Sequence, residues 1–127
     1  MDNLLIAKEK YTPKVFFDTT NNIFEISGES YSEDAFVFYG TILNWLNDYL
    51  RQNDRNITVN FRLTYYNTST SQAVFQLLEM FEKYTLKRKI EVQVNWYANS
   101  QDSDMIEDGQ YYRDNFEILF FNIAIES

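Results

Sequence analysis

The sequence predicts an α/β fold: a mixed β-sheet of about five strands, an N-terminal hairpin followed by alternating helices and strands, with the helices mainly on one face. Two alternating stretches and one change of period predict it. From Ile57 to Tyr66, residues Ile57, Val59, Phe61, Leu63 and Tyr65 alternate with Thr58, Asn60, Arg62, Thr64 and Tyr66, the period of a half-buried strand. Ile90, Val92, Val94 and Trp96 alternate with Glu91, Gln93, Asn95 and Tyr97 in the same way. From Ala73 the period becomes helical, with Ala73, Val74, Leu77, Leu78 and Phe81 on one stripe. A parallel sheet covered on both sides reads apolar on both faces, so the polar half of each alternation places the helices on one side.

Taken in order, 11 to 18 (YTPKVFFD) and 23 to 28 (IFEISG) are short β-prone runs separated by Thr19-Thr20-Asn21-Asn22, a hairpin pattern. Pro13 belongs at the start or edge of its strand. A helix near 31 to 52 follows, with Ala35, Phe38, Tyr39, Ile42, Trp45, Leu46 and Tyr49 on its stripe and a Ser30/Glu33 capping-box pattern at its start. The strand at 57 to 66 is expected inside the sheet, then a helix near 69 to 86 ending on the basic Lys87-Arg88-Lys89. After the strand at Ile90, a short acidic helix near 103 to 114 and a last strand in FEILFFNIAI complete the order β-β-α-β-α-β-α-β, with right-handed crossovers.

Composition narrows the function. At 127 residues one domain over 1–127 is the default, and 45% hydrophobic residues with eleven Phe and ten Tyr supply a sizeable core. The net charge of −8 argues against nucleic acid and against an anionic membrane surface, which both call for a basic footprint, and leaves a basic protein partner open. With neither Cys nor His, the chain lacks disulfides, thiolate chemistry, the commonest general base and imidazole metal ligands. The apolar run Leu4-Leu5-Ile6-Ala7 is too short for a signal peptide or a membrane span, so a cytoplasmic protein is expected.

The chemistry-bearing stretch is Asn67-Thr68-Ser69-Thr70-Ser71, between the 57 to 66 strand and the next helix. Ser69 with Gln72 fits a capping box, and capping is the more frequent use of such a cluster. One cap explains one hydroxyl, not four. The alternative is a phosphoacceptor or anion site, because first-turn amides and the helix dipole favour a phosphate. A second cluster, Asp102, Asp104, Glu107 and Asp108, could hold Mg²⁺ or do acid/base work, although its spacing is not that of an EF-hand and acidic residues are ordinary in a first helical turn. Tyr65, Tyr66 and Tyr97 are expected to flank the turn.

Three blocks, GESYSEDAFVFY at 28 to 39, FRLTYYNTSTSQ at 61 to 72 and VNWYANSQDSDMIEDGQYY at 94 to 112, resemble the SiaC-like bacterial regulatory phosphoproteins, and the likeness runs over most of the chain from about Thr12. The resemblance implies a STAS-like fold of the anti-sigma-factor-antagonist type. It implies phosphorylation of the threonine of the Asn-Thr-Ser motif, Thr68 here, by a cognate Ser/Thr protein kinase, and dephosphorylation by a PP2C-type phosphatase. It further implies that the free form binds and activates an output protein such as a diguanylate cyclase, in biofilm and cyclic-di-GMP signalling. Tyr65, Tyr66, Asn67, Ser69, Thr70, Ser71 and Gln72 would surround the phosphosite. Two positions depart from the family pattern: Ser32 replaces the usual Pro, and Gln72 a common basic residue that could pair with phosphate.

The leading expectation is therefore a non-enzymatic phosphorylation switch in a partner-switching pathway, with no cofactor. A small Mg-dependent hydrolase using Asp102, Asp104 and Glu107, and a constitutive protein-binding module, are the alternatives.

Overall fold

The computed structural model describes residues 1–127. Its elements are β1 (Leu4–Ile6), β2 (Lys14–Asp18), β3 (Ile23–Ser30), α1 (Ala35–Gln52), β4 (Ile57–Tyr66), α2 (Thr68–Arg88), β5 (Val92–Asn99), α3 (Ser103–Asn115) and β6 (Phe120–Glu126). The six strands lie in one sheet in sequence order. β1, β2 and β3 pair antiparallel, and β3, β4, β5 and β6 pair parallel. Each of the three crossovers moves one strand further in the same direction, so crossovers of one hand lay α1, α2 and α3 on a single face.

The buried rows confirm that arrangement. Val15, Phe17, Phe24, Ile26, Ile57, Val59, Phe61, Leu63, Val92, Val94, Trp96 and Ala98 face the helices and are all buried. Their alternates, among them Glu25, Asn60, Arg62, Asn95 and Tyr97, are half-buried on the open face, where Asn95 donates to Asn60 at 2.9 Å and Arg62 pairs with Glu25. On the covered side α1 contributes Tyr39, Ile42, Leu46 and Tyr49, and α2 contributes Val74, Leu77, Leu78 and Phe81 to the same buried cluster. No helix is long and apolar enough to cross a membrane.

Four expectations are corrected. The sheet has six strands rather than about five, because Leu4-Leu5-Ile6 pairs with β2, Leu5 opposite Phe16; three residues are too few to show a period. The first helix begins at Ala35, not near 31, and the Ser30/Glu33 box does not form: Ser30 is the last residue of β3, buried, and the N-cap is Asp34, without a side-chain cap bond. Tyr65 does not share the buried face of Ile57. β3 and β4 slip register after Gly28, whose partner is Leu63, while Glu29 pairs with Tyr65, leaving Thr64 as the extra residue of a bulge. The bulge exchanges the faces of the two tyrosines, so that Tyr65 is 58% exposed and Tyr66 packs toward the core. Gly28 at φ 104 supplies the backbone conformation on the partner strand that a side chain would strain. The fourth correction, the cap of α2, belongs to the site.

Candidate functional site

Parallel strands end on the same edge of a sheet, so the loops after β3, β4 and β5 gather there. The β4–α2 turn sits in the middle of this edge, and the side chains that hold it come from both neighbours. Asn67, with extended backbone, is the N-cap of α2: its Oδ1 accepts from the Thr70 amide at 3.0 Å. It also donates from Nδ2 to the Ser32 carbonyl at 3.2 Å, and its own amide donates to the Ser30 carbonyl at 3.2 Å. The expected Ser69/Gln72 capping box is thus overturned. Asn67 is as good a cap as Ser and is already in place at the strand's end, which puts Thr68 and Ser69 inside the first helical turn.

The four hydroxyls of the turn divide into two pairs. Thr70 is buried, donates to the Ser30 carbonyl at 2.9 Å and lies 2.8 Å from the Ser30 hydroxyl, which in turn meets the Tyr39 hydroxyl at 2.9 Å. Ser71 bonds the Tyr112 hydroxyl at 2.8 Å, tying α2 to α3. These two side chains anchor the turn. Thr68 and Ser69 are exposed and carry no such bond. Their amides are in the first turn of a helix, where no intrahelical carbonyl is available to accept from them. Gln72 is exposed on the next turn.

Aromatic rings line the turn on two sides. Tyr65 packs edge-on against Tyr31 with centroids 5.6 Å apart, and Tyr31 against Tyr11 at 5.1 Å, a row of two exposed rings about a half-buried one that joins the N-terminal segment to the edge. Tyr66 points the other way, edge-on to Trp96, and its hydroxyl donates to the Asp108 carboxylate of α3. Burial, and then the bond to Asp108, raises the Tyr66 pKa. Burial likewise raises Tyr112 and pushes Tyr39 up to about 12, although Ser30 and Thr70 bond to the latter. These phenols stay protonated near neutral pH and act as hydrogen-bonding struts. Tyr97 does not flank the turn; it lies on the open face with the Arg62 guanidinium 3.6 Å from its ring centroid.

The acidic residues open onto a cleft of about 400 Å³ beside Tyr65 and Tyr66. They do not converge as a metal-ligand set, since no three carboxylates come together in that way. Asp102 caps α3, accepting from the Met105 amide at 3.1 Å, and Asp108 takes the Tyr66 hydroxyl, while Asp104 and Glu107 are exposed. Asp102 and Asp108 are thus committed to bonds within the fold, and no three-carboxylate set forms at Asp102, Asp104 and Glu107 to support the hydrolase alternative. Tyr31 and Tyr11 join the edge without having been singled out from the sequence, and Ser30 joins it in a role other than the cap its spacing to Glu33 suggested, because only the sheet order brings them to Thr70 and Tyr65.

The profile of the SiaC family regulatory phosphoproteins matches residues 6–126. An uncharacterised protein of Pseudomonas aeruginosa strain UCBPP-PA14 is 23% identical over 120 residues, 94% of each chain. Among solved structures, apo-SiaC from Pseudomonas aeruginosa superposes with a TM-score of 0.84 at 24% identity, over 100% of both chains. A chain in the crystal structure of the diguanylate cyclase SiaD in complex with its activator SiaC, from the same organism, gives 0.84 at 24% identity over 96% of this chain and 97% of that one.

Proposed function

The chain belongs to the SiaC family of regulatory phosphoproteins, and from that premise we propose that it is a non-enzymatic switch, a single regulatory domain over 1–127, phosphorylated reversibly on Thr68. The observation that carries the reading is the division of the turn's hydroxyls: Thr70 and Ser71 are tied into the fold, whereas Thr68 is exposed at the first position of α2 with its hydroxyl unbonded. A kinase reaches such a hydroxyl without unfolding anything. The resulting phosphate, about −1.5 to −2 in charge, meets first-turn amides and the positive end of the helix dipole.

The partners follow the same logic. A cognate Ser/Thr kinase adds the phosphate and a PP2C-type phosphatase removes it, in the cytoplasm. The free form binds an output protein across Tyr65, Tyr66 and the first turn of α2. The related SiaC is the activator of the diguanylate cyclase SiaD, which supports an output partner of that kind, acting in cyclic-di-GMP and biofilm control. Phosphopeptide mapping of the chain recovered from its own cells tests the assignment: phosphate is expected on Thr68. Phosphate on Ser69, the other exposed hydroxyl, with Thr68 bare, overturns it.

A further inference from the structure

β6 is hydrogen-bonded on one side only, to β5. Edge strands that remain unpaired are usually very short or carry a charge, a proline or a bulge. The opposite edge obeys that rule, since β1 has three residues. β6 does not. It is seven residues long, it pairs with β5 without a register shift, and from Ile118 to Ile125 the sequence has neither a charge nor a proline. Its register sets Phe121, Ile123 and Ile125 opposite Val94, Trp96 and Ala98, as the outermost row of the helix-covered face. That row is incompletely covered: Ile125 is 51% exposed, and on the open face Phe120 is 54% exposed.

We propose that β6 pairs antiparallel with β6 of a second copy of this chain, about a two-fold axis at Ile123. Full overlap of Phe120–Glu126 with itself sets Ile123 opposite Ile123, Asn122 opposite Ala124, Phe121 opposite Ile125 and Phe120 opposite Glu126. No acid then faces an acid, which is what self-pairing requires of a chain with net charge −8. Glu126 is moreover balanced within its own chain by Arg62, 3.5 Å away on the same open face. β1 is the wrong occupant, because three residues cannot cover seven and a head-to-tail contact would leave free edges to propagate. The two-fold pairing closes, continues the apolar row Phe121, Ile123 and Ile125 across the axis, and leaves the end of β4, two strands inward, open.

Sedimentation equilibrium of the full chain tests the pairing. A concentration-dependent dimer is expected. Phe120→Lys keeps the dimer, because a cation then faces Glu126 of the other copy. Phe120→Glu removes the same ring from the same exposed position but opposes two acids, and shifts the chain to monomer. Ile123→Lys, with two cations meeting on the axis, is monomeric and regains the dimer mass only when mixed with Ile123→Glu; if circular dichroism shows that variant unfolded, the exposed Phe120 pair decides. A wild-type chain that stays monomeric up to its solubility limit overturns the proposal. So does a dimer indifferent to the sign of the charge at position 120, which would place the contact elsewhere.

Discussion

Trp96 lies directly over Gly109: a Cβ on that glycine would come within 2.5 Å of the indole Cδ1. This close approach is how α3 seats against β5 at the edge that carries the site, and the indole cannot retreat, since it is buried and its Nε1 donates to the Met105 carbonyl at 2.9 Å.

Gly109→Ala therefore sets two effects against each other. Alanine is favoured over glycine inside a helix by about 1 kcal/mol. Forcing a methyl into a filled core costs about 1 to 3 kcal/mol, and an anchored indole puts this position at the upper end. The expected result is a net loss of about 1 to 2 kcal/mol in urea unfolding. An unchanged or raised midpoint would show that α3 shifts freely against the sheet.

At the β4–α2 turn, the cap and the acceptor separate by mutation. Asn67→Ala removes the bond to the Thr70 amide and the tie to the Ser32 carbonyl, and should lower stability by about 1 to 2 kcal/mol. Ser69→Ala and Thr68→Ala remove exposed, unbonded hydroxyls and should each stay within about 0.5 kcal/mol. Chemical denaturation of the three variants checks this; a Ser69→Ala loss matching that of Asn67→Ala would restore the capping box.

Legibility in the sequence followed the range of the interaction. The 57 to 66 strand and the stripe Ala73, Val74, Leu77, Leu78, Phe81 are written in local periods, and both stand in the structure. The bulge at Thr64 is not local: it answers a positive-φ glycine on the neighbouring strand, and so the faces of Tyr65 and Tyr66 were read reversed. Ser30 shows the same limit. Its spacing to Glu33 imitates a cap, yet its partners are Thr70 and Tyr39, brought in by sheet pairing. Asn67 was legible as part of the motif but not as the cap, because Ser69 with Gln72 offered a competing local pattern.

The buried phenols predict an alkaline limit to stability. Tyr39 is raised from 10.0 to about 12, chiefly by burial, and Tyr66 and Tyr112 are raised for the same first reason. Above the ordinary phenol pKa the unfolded chain releases these protons while the folded chain retains them, so the unfolded state binds fewer protons and stability falls with rising pH. The contribution is complete below pH 10 and is lost progressively from 10 toward 12. Urea midpoints measured from about pH 8 to about pH 11.5 should be level and then decline, and Tyr39→Phe should shallow the decline. A midpoint flat to the alkaline end would mean that the phenols are solvated.

Phosphate on Thr68 should eject the output partner without refolding the domain. The turn is fixed by groups other than the acceptor: Asn67 caps α2, Thr70 is bonded to Ser30, and Ser71 to Tyr112. The unbonded amides of the first turn can hold phosphate oxygens in place. No refolding is needed. A partner packed over Tyr65, Tyr66 and this turn would instead have to desolvate a dianion against a chain already at −8, with the uncharged Gln72 rather than a cation on the next turn. Thr68→Ala should accept no phosphate and keep the partner bound in kinase and ATP. Thr68→Asp, with less charge and fewer oxygens, should weaken binding only in part. Titration calorimetry of free and phosphorylated chain against the proposed output partner, alongside circular dichroism of both forms, separates the two halves of the claim: equal affinities would reject ejection, and a lost or altered spectrum on phosphorylation would reject an intact fold.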